Sequence, residues 1–202
     1  MRKNITREQV VSTALELMQN KNDLRGLNMR EIARALGCAH TNIYNYFPSY
    51  NDLLWETHAA LQEAFMGMLA EKLKTADSAE LRLSFFFKAF VDTYLDKKGW
   101  FRLAWHEYIG GERPLRDIEA TEKTNAELNR HIAGIWKGLT GEDPDEEQAR
   151  RVLHNTHCYI VGEISNYLLG RGLFENEAEL KAYITAEAIR MFRLCLAGGD
   201  AD

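Results

Sequence analysis

The sequence is poor in features that interrupt helices. It has three prolines in 202 residues, and its 14 glycines are spaced along the chain. Strand-like alternation of β-branched residues is scarce, whereas apolar residues recur at helical spacing. Apolar residues make up 46% of the chain, which is enough to bury a sizeable core. The sequence therefore predicts an all-α protein with about nine helices.

Cysteines and long apolar runs are also few. Cys38, Cys158 and Cys195 are an odd number of cysteines and form no C-x-x-C pair, so a disulfide framework is not expected. The charged N-terminus has no apolar segment of the kind that a signal peptide needs behind it. No stretch is long and apolar enough to span a bilayer. These absences favour a cytoplasmic location, where cysteines stay reduced.

The first 50 residues have a net positive charge, unlike the rest of the chain. The whole chain has a net charge of −5, but residues 1–50 carry seven Lys or Arg and four Asp or Glu. The first 50 residues therefore have a charge of +3 and the remainder has −8. Such a distribution suits a local phosphate-facing surface on an acidic body. Arg2 and Lys3 form a basic arm that is either a disordered terminus or a minor-groove contact.

The stretch from Asn28 to Phe47 contains two short helices joined by a turn. Asn28 can cap the first helix, with Glu31 at the position that completes a capping box. Gly37 supplies the backbone freedom that a helix-ending turn needs. A second helix begins at about residue 39, and its apolar anchors Ile43 and Phe47 are four residues apart. Its other face is polar and carries no acid: His40, Thr41, Asn42, Tyr44, Asn45 and Tyr46.

This pattern predicts a helix-turn-helix that binds DNA. Amide side chains can read base edges in the major groove, and phenols and hydroxyls can donate to phosphates. Pro48 ends the predicted DNA-binding domain, residues 1–48. Ser49 and Asp52 form a capping box that opens a long connecting helix to about residue 74. Residues 49–202 are the predicted ligand-binding and dimerisation domain.

The remaining helices follow from caps and glycines. We expect a helix over about residues 79–97 that is ended by Gly99, and a short aromatic helix over 100–109. Another runs from Pro114 to about residue 139. Asp143 and Pro144 predict the start of a helix to residue 170, and the last helix covers 177–196.

The N-terminal motif resembles a known family. A capped first helix, R-E-I-A-R-A-L-G, a turn, I-Y-N-Y-F-P-S-Y-N-D-L-L and a long helix are similar, over about residues 6–55, to the DNA-binding domain of the tetracycline-repressor (TetR) family of bacterial transcription regulators. The rest of the chain matches only in the number and length of its helices. Tyr50 departs from the family pattern, where a Lys is usual, and Ala39 stands where Ser or Thr often caps the second helix.

The resemblance implies a homodimer that sits on a palindromic operator and represses transcription. A small ligand in the C-terminal body would swing the connecting helix and separate the two DNA-binding heads. Asn28 and Arg30 would approach the DNA backbone. Tyr44 and Tyr46 would contact phosphates. The residues that would face the groove are His40, Thr41, Asn42 and Asn45.

Two further sets of residues are candidates for the C-terminal body. A cavity for an apolar or aromatic effector is expected among aromatic and histidine residues, with ordinary core packing as the alternative for each: Phe86, Phe90, Tyr94, Trp100, Trp105, His106, Trp136, His154, His157 and Tyr159. A dimer seam rich in small residues is expected in the last two helices, with packing inside one chain as the alternative: Gly162, Ile164, Ser165, Leu168, Ala182, Thr185, Ala186 and Ile189.

These patterns predict a ligand-responsive repressor that is not an enzyme and needs no cofactor or metal. An activator or a ligand-independent regulator is the alternative within the class. His154 and His157 could share a metal on one helix face, so a metal-dependent enzyme is a distant alternative. The chain has no nucleophile elbow, phosphate loop or H-E-x-x-H signature. A helical adaptor that binds only protein is a third possibility.

Overall fold

The protein is helical throughout the part of the chain that the computed structural model describes, residues 5–19, 21, 24 and 26–197. The predictions of an all-α fold and of nine helices are confirmed for these residues. The helices are α1 Arg7–Gln19, α2 Met29–Leu36, α3 His40–Ile43, α4 Tyr50–Lys74, α5 Ala79–Asp96, α6 Lys98–Trp105, α7 Leu115–Thr140, α8 Glu146–Leu168 and α9 Glu177–Ala197.

The chain packs as two compact units. Of the described residues, unit 1 comprises those up to 65 and those of 96–123, and unit 2 comprises those of 66–95 and 124–197. Helices α4 and α7 each begin in unit 1 and end in unit 2. The division is by packing and differs from the predicted functional boundary after residue 48, which stays a prediction.

Unit 1 has an apolar core to which α6 makes a close approach. A Cβ atom on Gly99 would lie 1.8 Å from the backbone oxygen of Met18, so only glycine fits at this contact between α6 and α1. Trp100 donates from its indole nitrogen to the Leu15 carbonyl at 3.0 Å. The prediction that Gly99 ends a helix was wrong, because it lies in the first turn of α6 and serves helix packing.

Capping side chains determine where two of the long helices, α4 and α8, begin. The Ser49 backbone N–H donates to Asp52 at 2.9 Å, and the Asp52 N–H donates to the Ser49 hydroxyl at 3.2 Å, which confirms the predicted capping box. Helix α8 is capped by Asp145 in a box with Gln148. The predicted cap, Asp143, lies two residues before the observed one, and its carboxylate accepts from Lys137 at 2.7 Å.

The core of unit 2 is aromatic. The Phe192 ring of α9 lies 6.1 Å from the rings of Phe87 and Trp136, both in edge-on contact. Leu83, Phe86 and Phe192 are completely buried. Most of the aromatic residues of α5 are therefore buried in this core, while residues such as Leu81 and Lys88 of the same helix are exposed.

Candidate nucleic-acid interface and effector site

The first helix of the predicted motif begins at a side-chain cap. Asn28 has an extended backbone, and its side-chain oxygen accepts from the backbone N–H groups of Arg30 at 3.0 Å and Glu31 at 3.2 Å. The Glu31 carboxylate lies 3.4 Å from the ammonium of Lys21. The cap is therefore confirmed, and the Glu31 side chain pairs with a cation beside it.

A glycine turn ends this helix and starts the next. Gly37 has φ 68° and ψ 36°, the left-handed conformation that side chains other than glycine adopt at a cost. Its N–H donates to the Arg34 carbonyl at 3.1 Å, and the Cys38 N–H donates to the Ala33 carbonyl at 3.0 Å. These bonds reverse the chain within a few residues, so the direction of α3 follows from the turn.

Helix α3 is short and is held by its apolar anchors. It covers only His40–Ile43 and continues as turns to Tyr46. Ile43 and Phe47 are both 0% exposed, which confirms them as the anchors. Ala39 makes no side-chain cap bond, so the departure from the family pattern leaves the start of this helix without a side-chain acceptor.

The outer face of α3 and of the turn that follows it carries a row of polar side chains. His40, Thr41, Tyr44 and Asn45 are exposed, while Asn42 is half-buried. The rings of His40 and Tyr44 meet edge-on with centroids 6.3 Å apart. We name these five residues the outer row. In α2, Arg30 and Arg34 are also exposed, and Arg34 is a cation that sequence reasoning did not select. Arg2 and Lys3 lie outside the described residues.

Tyr46 has a structural partner. It is half-buried, and its hydroxyl donates to the backbone carbonyl of Ile5. Its position three residues after Ile43 turns it towards the core, a signal that helical spacing offered. The predicted phosphate contact of Tyr46 stays a prediction, and its proton already has an acceptor within unit 1.

Tyr50 belongs to the rim of the unit 1 core. It is half-buried and packs against the apolar cluster. Burial, together with the charges of Glu107 and Glu31, raises the pKa of Tyr50 to about 12. The side chain is therefore neutral at physiological pH and does not replace the cationic Lys that is usual in the family.

Four of the predicted cavity residues meet in unit 2. The Phe90 ring lies 5.3 Å from Phe86 and 5.0 Å from His157, and the hydroxyl of Tyr94 lies 2.9 Å from Nε2 of His157. Burial and then the nearby His154 lower the pKa of His157 to about 4. We name Phe86, Phe90, Tyr94 and His157 the aromatic cluster. Its histidine is neutral at physiological pH, so the cluster offers ring surfaces with one neutral hydrogen-bonded pair.

The other six candidates do not join this cluster as one set. Trp100, Trp105 and His106 belong to unit 1, and Trp105 is 45% exposed. Trp136 packs against Phe192, His154 is exposed, and burial raises the pKa of the half-buried Tyr159 above its usual range. The structure thus brings four of the ten candidates into mutual contact, and a cavity at these residues stays a prediction.

His154 and His157 contact different side chains. The imidazole of His154 lies 3.6 Å from the Cys158 sulfur on the exposed side of α8, whereas His157 points towards Tyr94. Within residues 5–19, 21, 24 and 26–197, no three His, Cys, Asp or Glu side chains are grouped as a metal site. The two histidines therefore have different partners in this structure.

The predicted dimer residues differ in exposure. Gly162, Ala182 and Ala186 are exposed on α8 and α9, whereas Ile164 is completely buried in its own chain. The remaining four are half-buried: Ser165, Leu168, Thr185 and Ile189. A surface depression of about 250 Å³ lies on α9 and is lined by Ala186, Ile189, Arg190, Arg193 and Leu194.

These features define an all-α protein with a helix-turn-helix near its N-terminus. Its fold is that of TetR-family transcriptional regulators, so the resemblance seen in the sequence is confirmed at the level of fold. None of the helices in the described ranges could cross a membrane.

Several solved structures have a similar fold. A protein of unknown function from Rhodococcus sp. RHA1 is 16% identical, with a TM-score of 0.71 over 93% of this chain and 95% of that one. A TetR-family transcriptional regulator from Streptomyces coelicolor is 17% identical, with a TM-score of 0.67 over 95% and 82%. A TetR variant from Acinetobacter baumannii AYE in complex with minocycline is 17% identical, with a TM-score of 0.61 over 94% and 96%. No protein-family model matches the sequence, and no curated protein matches it.

Proposed function

We propose that this chain is a transcriptional regulator of the TetR type that binds a palindromic operator as a homodimer. The main support for this proposal is the outer row. It presents amide, hydroxyl and imidazole groups on a segment that is fixed by the completely buried Ile43 and Phe47. In this function Thr41, Asn42 and Asn45 read base edges, Tyr44 contacts phosphate, and Asn28 and Arg30 approach the backbone. The two heads of a dimer meet major grooves about 34–36 Å apart, or a multiple of that distance.

Selection of bound duplexes from random DNA tests this function. The purified full-length protein is expected to enrich an inverted repeat, with an affinity that falls as salt rises because phosphate contacts release counterions. The double variant Thr41→Ala, Asn45→Ala changes two exposed side chains and serves as the control that should lose the preference for this repeat. A protein that binds no duplex in a salt-dependent way contradicts the proposal and favours the protein-binding adaptor.

The proposed dimer uses the exposed faces of α8 and α9. Gly162, Ala182 and Ala186 allow close helix approach, and the depression on α9 can accept a side chain from the second copy. Ile164 is left out of this interface because it is buried within its own chain. Ala182→Arg is expected to give a monomer in sedimentation velocity. Ala126→Arg, at an exposed position of α7, is expected to keep the dimer. Equal behaviour of the two variants would argue against this face.

The proposed effector is a small, neutral, apolar or aromatic molecule that binds at the aromatic cluster and releases the protein from DNA. A neutral His157 hydrogen-bonded to Tyr94 among phenylalanine rings supports an uncharged ligand. The similar structure in complex with minocycline supports a small-molecule effector in this fold.

A thermal-shift screen of neutral aromatic compounds tests the effector. A compound that raises the unfolding midpoint should also lower operator affinity, since it binds the state that fits DNA less well. Tyr94→Phe removes the hydroxyl at His157 and should weaken this compound without changing DNA binding in its absence. Tyr183→Phe, on α9, is the matched control. Compounds that stabilise the protein but leave DNA affinity unchanged would instead favour a ligand-independent regulator.

A further inference from the structure

A buried carboxylate on α4 joins three helices of unit 1. Glu56 is 6% exposed. One of its oxygens lies 3.1 Å from the guanidinium of Arg7 in α1, and the other accepts from the guanidinium of Arg116 in α7. Because each oxygen serves a different helix, this single side chain ties both α1 and α7 to α4.

Arg7 extends the connection to the helix-turn-helix. Its guanidinium carbon lies 4.9 Å from the ring centroid of Phe47, the anchor that follows the outer row. A cation over an aromatic face is attracted by the ring quadrupole, and the contact restricts where the guanidinium can sit. A continuous set of contacts therefore runs from Phe47 through Arg7 and Glu56 to Arg116.

A second carboxylate reinforces the same junction. Asp117 is 0% exposed, and its oxygens lie 2.6 Å from Nδ1 of His58 in α4 and 2.6 Å from Nε of Arg113. The Arg113 guanidinium also donates to the hydroxyl of Thr121. The start of α7 is thus attached to α4 at two neighbouring points, Glu56 with Arg116 and Asp117 with His58.

Stability alone is a poor reason for this arrangement. A buried ion pair is often no more stabilising than apolar side chains of the same volume, because desolvation offsets the attraction. What charged hydrogen bonds do supply is a defined geometry. Helix α7 carries Arg116 in unit 1, and in unit 2 its His131 ring lies 6.4 Å from Phe86 of the aromatic cluster. One helix therefore contacts both the cluster and the carboxylate.

We infer that Glu56 is a positioning residue that couples α7 to the DNA-binding helices. Through Arg116 it follows any movement of α7, and through Arg7 and Phe47 it sets the orientation of α1 and of the outer row. This inference rests on the proposed function, since it names the contacts that transmit an effector-induced movement to DNA binding. In this chain the coupling element is therefore one carboxylate, Glu56, held between Arg7 and Arg116.

Four single variants and one double variant test the inference. Glu56→Gln and Arg116→Gln remove one charge each, and their combination completes a double-mutant cycle. Glu56→Met fills the space without charge. Glu63→Gln is the matched control, because Glu63 also pairs with Arg116, at 3.6 Å, but is 58% exposed. The measurements are affinity for a duplex selected by the wild-type protein, amide hydrogen exchange over residues 7–19, and the unfolding midpoint.

The inference predicts about a tenfold loss of affinity for Glu56→Gln and for Arg116→Gln, with no further loss in the double variant. Amide exchange in α1 should rise in all three. Glu56→Met should keep the wild-type unfolding midpoint and still lose affinity, which a merely stabilising role would not produce. Glu63→Gln should stay within twofold of the wild type. Wild-type affinity and exchange in Glu56→Met, or a loss in Glu63→Gln equal to that in Glu56→Gln, would overturn the inference.

Failure of the proposed function can be distinguished from failure of this coupling. If the wild-type protein binds no duplex, the proposed function fails, and the exchange measurements alone decide the coupling. Faster exchange of α1 in Glu56→Gln but not in Glu63→Gln then supports a positioning role for the carboxylate. Unchanged exchange in both variants overturns it.

Discussion

Replacing Tyr46 by Phe removes one oxygen atom and separates two roles for this side chain. In the structure its hydroxyl donates to the Ile5 carbonyl, and the ring is half-buried. Loss of an intramolecular hydrogen bond of this kind costs about 0.5–1.5 kcal/mol of unfolding free energy. For a chain of this length, each kcal/mol lowers the unfolding midpoint by roughly 2–4 °C. Tyr46→Phe should therefore melt a few degrees below the wild type.

Tyr44→Phe is the matched control, because the same atom is removed two residues away. Tyr44 is 49% exposed, so its hydroxyl is available to a phosphate. Its loss should leave stability within about 0.5 kcal/mol of the wild type. It should weaken binding to every duplex by a similar factor, since phosphate contacts carry no sequence information.

Two assays decide between the roles. Urea unfolding gives the free energy of each variant, and fluorescence anisotropy over a panel of selected and shuffled duplexes gives the affinities. The structural role of the Tyr46 hydroxyl is refuted if Tyr46→Phe unfolds like the wild type and loses as much DNA affinity as Tyr44→Phe. In that case the hydroxyl of Tyr46 faces phosphate and the contact with Ile5 adds little to stability.

Three further predictions concern base reading, helix packing and acid stability. Asn45→Ala should change preference at one base-pair position by about 1–3 kcal/mol in a duplex panel, and a uniform loss over all sequences would contradict base reading. Gly99→Ala should destabilise the protein by about 1–3 kcal/mol in urea unfolding because the Met18 backbone must move, whereas Gly134→Ala, with nothing within 4 Å, should not destabilise it. Because burial lowers the pKa of His157 to about 4, the unfolded chain binds the proton first as pH falls. The contribution of this histidine to stability is therefore full above the ordinary histidine pKa of 6.5 and is lost towards pH 4, and His157→Gln should flatten this loss in pH-dependent unfolding.

Local chemistry explains how much of the fold the sequence predicts. A side-chain cap acts within three residues, so Asn28 and Ser49 reveal where helices begin without knowledge of the rest of the chain. The left-handed turn at Gly37 is equally local, and anchors four residues apart place Ile43 and Phe47 on the inner face. These same signals make the outer row predictable, because the residues that point away from the buried anchors form the exposed face of a short helix.

Contacts between distant residues are not visible in this way. Gly99 looks like a helix terminator until the Met18 carbonyl is placed beside it. Glu56 is one acid among many in an amphipathic helix, and its burial depends on two arginines 49 and 60 residues away. The sequence likewise does not reveal which aromatic residues touch one another: Trp136 packs on Phe192, whereas Phe90 packs on Phe86 and His157.

The outer row has little part in holding unit 1 together. Ile43 and Phe47 supply the buried surface of this segment, Gly37 sets its direction, and exposed positions such as Thr41 and Asn45 lie outside that packing. Mutations at those positions can accumulate without the stability penalty that usually limits change in a folded domain. Under the proposed function, operator preference could therefore drift between descendants of one regulator, and exchanging a few surface side chains on an unchanged scaffold would reprogram it.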